Sequence, residues 1–427
     1  MPTLSALLPL ALLPLAFTAP VQPSQQAVRL VGSSPASTLS PEQIVKRDLT
    51  KLLGTRQPAP RASSHHQRSN TVPITNVIKN GLNRLQTFAG PLKVGTPAQQ
   101  LPVLFDTGSS DLVLLSACLD GCPNGYFKPD ASSSFVNTTT ETAAAYAGGA
   151  VLYGSAAYET VQIGDTTVRG QRFLAGTDGE LTGTTNAAGV MGLAPIVNPY
   201  AGVGGDTNWL QAAVAAGSLP ANEFSLYFGR AAGAVSELVL GGIDSAHYQG
   251  EVVSMPNAPK GAFTWGASVA GTVVDGQQVD SREMIAVVDS GTEVNYVPRR
   301  VAAQIYLQLN GTLQNTAQQV VMGAVYDVDF YTFPCNSSLP VGFSFTEASS
   351  TEPMYMKPQD VAWYMYSRLP SKSKGTCEGA FVGVDINYPF TETPAALLGL
   401  PWLKSFTSVY SFGADGKSPA VSFATSK

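Results

Sequence analysis

A short acidic motif occurs twice in this chain, and it limits how the chain can fold more than any other feature. The first copy reads FDTGSS over residues 105–110 and the second reads VDSGT over residues 288–292. Each aspartate ends an apolar run and precedes a hydroxyl residue, a glycine and a second hydroxyl residue. An apolar run that leads into a glycine-containing turn is typical of a buried strand. The repeat therefore predicts two similar halves, each presenting one carboxylate where the halves meet.

The two carboxylates, Asp106 and Asp289, are predicted to form an acid–base pair. Crowded carboxylates cannot both ionise easily, so one pKa rises while the other stays low. Such a pair titrates as a unit and can divide acid and base roles on one shared water. A single Asp-Thr-Gly could equally be a turn in which the aspartate accepts backbone hydrogen bonds. The second copy favours the pair.

Several further motifs fall in the order found in pepsin-family aspartic proteases, and the chain resembles the secreted fungal members of that family. The matching segments are FAGPLKVGTPAQQLPVLFDTGSSDLVL (88–114), AAGVMGLAP (187–195), LVLGGIDSAHYQG (238–250), IAVVDSGT (285–292), FPCNSSLPVGFSF (333–345) and AALLGLPWLKSFTSVYSF (395–412). The resemblance implies an all-β, bilobal pepsin-like fold with a cleft between two β-rich lobes. It also implies an aspartic endopeptidase that hydrolyses peptide bonds at acid pH.

The resemblance implies that Asp106 and Asp289 activate one water, with no metal, cofactor or covalent intermediate. It also implies roles for the other motif residues. Thr107 and Ser290 join the two aspartate loops, and Gly108 and Gly291 let the backbone approach each carboxylate closely. The hydroxyls of Ser109 and Thr292 hydrogen-bond to the outer carboxylate oxygens. The segments Val190-Met191-Gly192 and Leu397-Leu398-Gly399 match the family's strands beside the aspartate loops.

A flap over the cleft carries a tyrosine in this family, and Tyr146 is our candidate. It precedes the strand-like segment YETVQIG (158–164) at a distance that leaves room for a hairpin. Tyr153 is the alternative, but it stands too close to Tyr158.

Three positions depart from the family pattern. Val113 stands where a tryptophan usually supports the flap tyrosine, and Leu400 stands where aspartate is common. Glu293 replaces a serine or threonine whose hydroxyl touches the substrate backbone. We expect Glu293 to favour a basic residue on the N-terminal side of the cut.

Two other functions have to be considered. A catalytically silent pepsin-like binding protein stays the alternative to an active protease. A glycosidase also uses two carboxylates, but its mechanism gives no reason for both to lie in duplicated Asp-Thr-Gly and Asp-Ser-Gly motifs.

The first 70 residues read as targeting and processing segments. Residues 1–20 are uncharged and apolar and end in small residues, which predicts a signal peptide and secretion. Residues 21–70 hold seven basic and two acidic residues in a chain of net charge −5, which indicates a pro-segment, although a disordered linker has the same composition. Lys46-Arg47, Arg61 and Arg68 are alternative cutting sites.

The remainder divides into an N-terminal lobe (71–252) and a C-terminal lobe (253–427). Its expected partners are extended polypeptide substrates. The acidic net charge argues against nucleic acid, and the C-terminus lacks the hydrophobic tail of a lipid anchor. We expect a monomer without a stable membrane anchor. Helices are predicted over 208–216, 299–309 and 358–367, with strand-and-turn patterns elsewhere.

Four cysteines permit three disulfide pairings. Position in each half and the family pattern favour Cys118–Cys122 and Cys335–Cys377. Zinc is the rival interpretation, but the three histidines lie elsewhere in the sequence. Asn137, Asn310 and Asn336 begin acceptor sequons for N-glycosylation.

Overall fold

The computed structural model describes residues 70–78, 86–118, 122, 124–145, 151–179, 187–195, 208–230, 236–260, 262–321, 324–365, 375–388, 391–414 and 417–427. The predicted signal peptide and all but the last residue of the predicted pro-segment lie outside these ranges. Among the helices of the described ranges, none has the length and apolar character needed to cross a membrane.

Strands dominate the described residues, which confirms the all-β prediction. Those of the first half are β1 (Asn70–Ile78), β2 (Gln86–Val94), β3 (Gln99–Asp106), β4 (Leu112–Leu115), β5 (Val136–Ala145), β6 (Val151–Ile163), β7 (Thr166–Gly179), β8 (Gly189–Gly192), β9 (Glu223–Tyr227), β10 (Ser236–Leu240) and β11 (Tyr248–Pro256). Those of the second half are β12 (Gly266–Val274), β13 (Gln277–Asp280), β14 (Met284–Val288), β15 (Asn295–Val297), β16 (Thr312–Val321), β17 (Ala324–Pro334), β18 (Val341–Phe345), β19 (Met354–Tyr355), β20 (Ala362–Met365), β21 (Thr376–Gly379), β22 (Phe381–Val384), β23 (Ala395–Leu398), β24 (Phe406–Ser411) and β25 (Ala420–Ser426).

The strands form two large sheets. One runs β11-β25-β24-β9-β10-β1-β2-β3-β8-β4-β7-β6-β5, and the other runs β19-β18-β12-β14-β23-β15-β22-β17-β21-β20, with β13 on β12 and β16 on β17. The last two strands, β24 and β25, therefore belong to the sheet that carries the first motif. The predicted division between residues 252 and 253 falls inside β11 and stays a prediction.

The two halves repeat one arrangement around the motifs. In the first half, β3 pairs in parallel with β8, and β8 pairs antiparallel with β4. In the second half, β14 pairs in parallel with β23, and β23 pairs antiparallel with β15. All the residues of β8, β14 and β23 are buried, as expected for strands with neighbours on both faces. The duplicated motif thus lies on a duplicated supersecondary unit.

Two predicted helices are present and one is wrong. The helices in the described residues are α1 (Trp209–Ala215), α2 (Arg299–Gln308) and α3 (Leu400–Ser405), with 3-10 turns at Pro129–Ala131 and Pro358–Asp360. Asn208 caps α1 by accepting a hydrogen bond from the Gln211 N–H. Over 358–367, the 3-10 turn gives way to β20, because that segment pairs with β21 beside Cys377. Sheet pairing outweighs local helix preference there.

Both predicted disulfides, Cys118–Cys122 and Cys335–Cys377, are formed. The second joins the end of β17 to β21, which pair through Phe333 and Cys377. The three sequon asparagines, Asn137, Asn310 and Asn336, are all exposed, so a glycan there would meet no packed core. Their modification stays a prediction.

Candidate active site

The two motif aspartates stand at equivalent places in the duplicated units. Asp106 is the last residue of β3, and its carbonyl oxygen accepts a hydrogen bond from the Leu193 N–H at 2.7 Å. Asp289 follows β14, and its N–H donates to the Leu398 carbonyl at 3.0 Å. The aspartate backbone is therefore held by the residue after the apolar-apolar-Gly segment in the first half and by a residue of that segment in the second half.

The Asp106 carboxylate is held by its own turn. The Gly108 N–H donates to Oδ1 at 2.9 Å, and the Ser109 hydroxyl donates to Oδ2. Both donors come from within three residues, so the turn itself fixes the plane of the carboxylate. A carboxylate that accepts such hydrogen bonds is stabilised in its charged form.

The Asp289 carboxylate has matching contacts. The Gly291 N–H donates to Oδ1 at 2.8 Å, and the Thr292 hydroxyl donates to Oδ2 at 2.5 Å. Asp289 is only 3% exposed, whereas Asp106 is half-buried. The two environments are therefore similar in hydrogen bonding and different in solvation.

The two carboxyl groups lie against each other across the halves. A Cβ atom at Gly291 would lie 2.7 Å from Asp106 Oδ1, and Gly108 has a similar relation to Asp289. Burial, and then the neighbouring charge of Asp106, raise the pKa of Asp289 well above its ordinary range, and the hydrogen bond between the carboxyls raises it further. The pair can therefore hold one proton at a pH where a lone aspartate has lost it.

Thr107 and Ser290 join the two loops directly. The Thr107 N–H donates to Ser290 Oγ at 3.0 Å, and the Ser290 N–H donates to Thr107 Oγ1 at 2.9 Å. The Thr107 hydroxyl donates onward to the Val288 carbonyl at 2.8 Å, and the Ser290 hydroxyl donates to the Phe105 carbonyl at 2.7 Å. These four buried hydrogen bonds are symmetric, so the geometry between the carboxylates is set by both halves equally.

Comparison with known proteins agrees with this geometry. The family model described as eukaryotic aspartyl protease matches residues 87–425. The chain belongs to this family. By family it is an aspartic-type endopeptidase with the pepsin-like fold.

Relatives of this aspartyl protease include pepsins and secreted fungal enzymes. Pepsin A of Canis lupus familiaris is 30% identical over 280 residues, which cover 64% of this chain and 70% of that protein. Candidapepsin-3 of Candida albicans is 27% identical over 289 residues, 64% and 66% of the two chains. An aspartic protease of Phaffia rhodozyma is 28% identical over 302 residues, 69% and 68% of the two chains. The chain thus spans about two thirds of the length of the curated relatives it matches.

The strands on either side of the predicted flap pack against aliphatic side chains. The candidate flap tyrosine, Tyr146, lies outside the described residues, between β5 and β6. The alternative, Tyr153, lies inside β6 and is 51% exposed. Val113, which replaces the usual tryptophan, is buried in a cluster with Ala144 of β5 and Leu152 of β6, together with Leu174 and Val190. Aliphatic packing therefore stands where the family usually has a tryptophan.

Glu293 lies one residue after the hydroxyl that binds Asp289, and it is half-buried. Burial raises the pKa of the neighbouring Tyr296, and the charges of Glu293 and then Asp289 raise it further. The Glu293 and Asp289 carboxylates therefore both lie close enough to Tyr296 to act on its hydroxyl. Leu400, at the position where aspartate is common, is buried, and its N–H donates to the Thr292 carbonyl at 2.8 Å.

Asn295 is a site residue that the sequence did not reveal. It is fully buried, and its Oδ1 accepts a hydrogen bond from the Gly399 N–H at 3.0 Å. Gly399 follows Leu398, whose carbonyl holds the Asp289 backbone. Asn295 thus fixes the strand end beneath Asp289. A lone asparagine in an apolar run gives no pattern by which to predict such a contact.

One group of side chains could geometrically hold a metal ion among the residues that the structure describes. It consists of Glu237, Asp244 and His247, with His247 Nε2 lying 2.9 Å from Glu237 Oε2. None of the three belongs to either motif. The acid–base pair of Asp106 and Asp289 therefore shares no residue with this group.

Proposed function

We propose that this protein is a secreted aspartic endopeptidase, made as a zymogen, in which Asp106 and Asp289 activate one water at acid pH. The observation that carries the proposal is the contact between the two carboxyl groups, with the pKa of the buried Asp289 raised well above its ordinary range. A pair that shares one proton contains both a general acid and a general base.

The burial difference supports a division of roles. Asp289 carries the shared proton, because burial and the neighbouring charge raise its pKa. Asp106 takes a proton from the water as it attacks the scissile carbonyl carbon. Asp289 donates its hydrogen bond to the carbonyl oxygen and stabilises the charge that develops there. The tetrahedral intermediate collapses when Asp106 passes the proton that it took from the water to the leaving nitrogen, the C–N bond breaks and the carbonyl re-forms.

The substrate is a polypeptide bound in extended form between the two halves. Its backbone can add strand-like hydrogen bonds to the cleft, as in other strand-addition complexes. We expect bulky apolar residues on either side of the cut, which is the preference that the family resemblance implies. No nucleotide, metal or other cofactor enters the proposed reaction.

Secretion and zymogen synthesis are supported by the leader and by relatives. The uncharged apolar segment 1–20 precedes the basic segment 21–70 in a chain of net charge −5. Three relatives carry the name secreted aspartic protease. A basic segment over an acidic cleft would leave as carboxylates protonate, which couples activation to acid pH.

The test is cleavage of an unfolded protein at about pH 3–4, with and without a statine-type inhibitor, beside an Asp289→Asn variant. We expect cleavage that the inhibitor blocks and that the variant lacks. A folded sample freed of its leader that cleaves nothing would contradict the proposal and favour a silent binding protein.

A further inference from the structure

Trp265 lies directly before β12 and contacts both aspartate loops. Its side chain is fully buried, and its indole N–H donates to the Leu193 carbonyl at 2.7 Å. Its own carbonyl accepts a hydrogen bond from the Val288 N–H at 2.8 Å. Leu193 comes from the first half of the chain and Val288 precedes Asp289, so one residue touches the support of each carboxylate.

These contacts close a ring. The Leu193 N–H donates to the Asp106 carbonyl, and the Thr107 hydroxyl donates to the Val288 carbonyl at 2.8 Å. Because Thr107 follows Asp106, the path returns to its start through four hydrogen bonds. We call Trp265, Leu193, Asp106, Thr107 and Val288 the inter-loop ring. All its members except Asp106 are buried, so water cannot replace a lost bond there without cost.

The indole itself is held firmly. Its ring packs edge-on against Phe224 of β9, Tyr410 of β24 and Phe412, with centroid distances of 6.0, 5.4 and 5.3 Å. Aromatic contacts of this kind prefer one relative orientation. The N–H is therefore already pointed at Leu193 and does not need to be ordered when substrate binds.

We infer that Trp265 is a positioning residue for the acid–base pair, which fixes the separation of Asp106 and Asp289 through the inter-loop ring. The inference rests on the proposed function and deepens it. Thr107 and Ser290 join the loops through four hydrogen bonds at the motifs themselves. The Trp265 hydrogen bonds supply a second, separate point of attachment.

The chain offers a closely matched control. Trp402 is also fully buried among aromatic rings, but its indole N–H has no hydrogen-bond acceptor among the described residues. Trp209 is a second control, because its indole N–H donates to the Val161 carbonyl at 3.2 Å, outside the inter-loop ring. Trp→Phe removes similar volume at each position, and Trp209→Phe also loses one buried indole hydrogen bond, as Trp265→Phe does. Only Trp265→Phe breaks the inter-loop ring.

The experiment compares Trp265→Phe, Trp402→Phe and Trp209→Phe in the full chain after acid activation. For Trp265→Phe we expect kcat to fall by about tenfold or more with KM nearly unchanged, since small displacements at a reacting centre are costly. The pH profile of kcat should also move, because the carboxyl separation sets their coupled titration. The two controls should keep the wild-type profile even where their Tm falls.

A second readout keeps the inference testable apart from the proposed function. Carbon-13 NMR of the aspartate carboxyl carbons follows the titration of the pair whether or not peptides are cleaved. We expect the titration to shift in Trp265→Phe and in neither control. If Trp265→Phe does not fold, replacing Trp265 by 3-benzothienylalanine keeps the shape and removes the N–H. The inference would be overturned if either Trp265 variant kept both the wild-type carboxyl titration and the wild-type kcat. If the wild type cleaved no peptide but the titration shifted in Trp265→Phe, that result would count only against the proposed function.

Discussion

Gly108 lies directly against the carboxyl group of Asp289, which belongs to the opposite half of the chain. A Cβ atom at Gly108 would lie 2.5 Å from Asp289 Cγ and 2.6 Å from its Oδ1. The carboxyl thus fills the space that any other side chain at position 108 would take. The two halves can bring their aspartates together only because each turn has a glycine at this point.

Gly108→Ala should therefore abolish most activity. The methyl group must push the Asp289 carboxyl or the turn aside, and we expect kcat to fall by about a hundredfold or more. The measurement is steady-state cleavage of an apolar peptide. Gly242→Ala is the control, since a Cβ there would meet nothing within 4 Å. Equal activity in the two variants would show that the pair tolerates displacement.

Thr107→Val should destabilise the protein as well as inactivate it. The change leaves the Ser290 N–H and the Val288 carbonyl without their shared partner in a buried place. Each unsatisfied group costs about 1–3 kcal/mol, so we expect a loss of about 2–4 kcal/mol in urea unfolding. Thr167→Val is the control, because Thr167 is exposed in β7 and lies outside both motifs. A loss no larger than that of the control would contradict the interlocked geometry.

Asp289→Asn should make the protein more stable at neutral pH while removing activity. The pKa of Asp289 is raised in the folded state, so its contribution to stability is present below the ordinary value of 3.8 and is lost as pH rises through the raised pKa. Asparagine cannot ionise, so the variant escapes that loss. We expect its Tm advantage over wild type to grow from pH 4 to pH 7, as calorimetry can follow.

Asp329→Asn is the control, because its effect on stability at neutral pH should have the opposite sign to that of Asp289→Asn. Burial would raise the pKa of Asp329, but hydrogen bonds from Arg299 and Thr316 lower it below the ordinary value. Its contribution is present above 3.8 and is lost only as pH falls through the lowered pKa. This variant should therefore lose stability at neutral pH. If the Tm difference from wild type changed with pH in the same direction in both variants, the pKa of Asp289 would not be raised.

The sequence allowed the fold class and the place of the site to be predicted, because both depend on local patterns. An apolar run followed by Asp-Thr-Gly or Asp-Ser-Gly fixes a strand and its turn within a few residues. The family match confirms the resemblance that these motifs indicated. The roles of Asp106 and Asp289 stay predictions until activity is measured.

The sequence could not reveal contacts that depend on distant packing. Trp265 and Leu193 are joined by one indole hydrogen bond, and nothing near either residue marks it. The placement of β24 and β25 in the sheet of the first motif was missed for the same reason. The helix predicted over 358–367 failed because β21, which pairs with β20, comes later in the chain.

Leu152→Ala should weaken substrate binding through the base of the flap. Leu152 is fully buried beside Val113 and Ala144, and its deletion leaves a cavity where β6 packs on β4. Such a change costs about 2–5 kcal/mol in stability, and we expect a raised KM and a weaker statine-type inhibitor as β5 and β6 loosen. Leu226→Ala, fully buried in β9, is the control. If both variants lose stability but keep the same KM, the flap does not depend on this cluster.

Glu293→Thr should change which peptides are cut while leaving the acid–base pair in place. Its carboxylate and that of Asp289 both act on Tyr296, so we expect a basic side chain on the N-terminal side of the cut to gain attraction from Glu293. For a partly solvated pair we expect about 1 kcal/mol, or roughly fivefold in kcat/KM between basic and neutral peptides. This preference should weaken with salt. Peptide libraries read by mass spectrometry measure it, with the exposed Glu352→Thr as control. Cleavage preferences that match wild type in Glu293→Thr would show that another residue sets specificity.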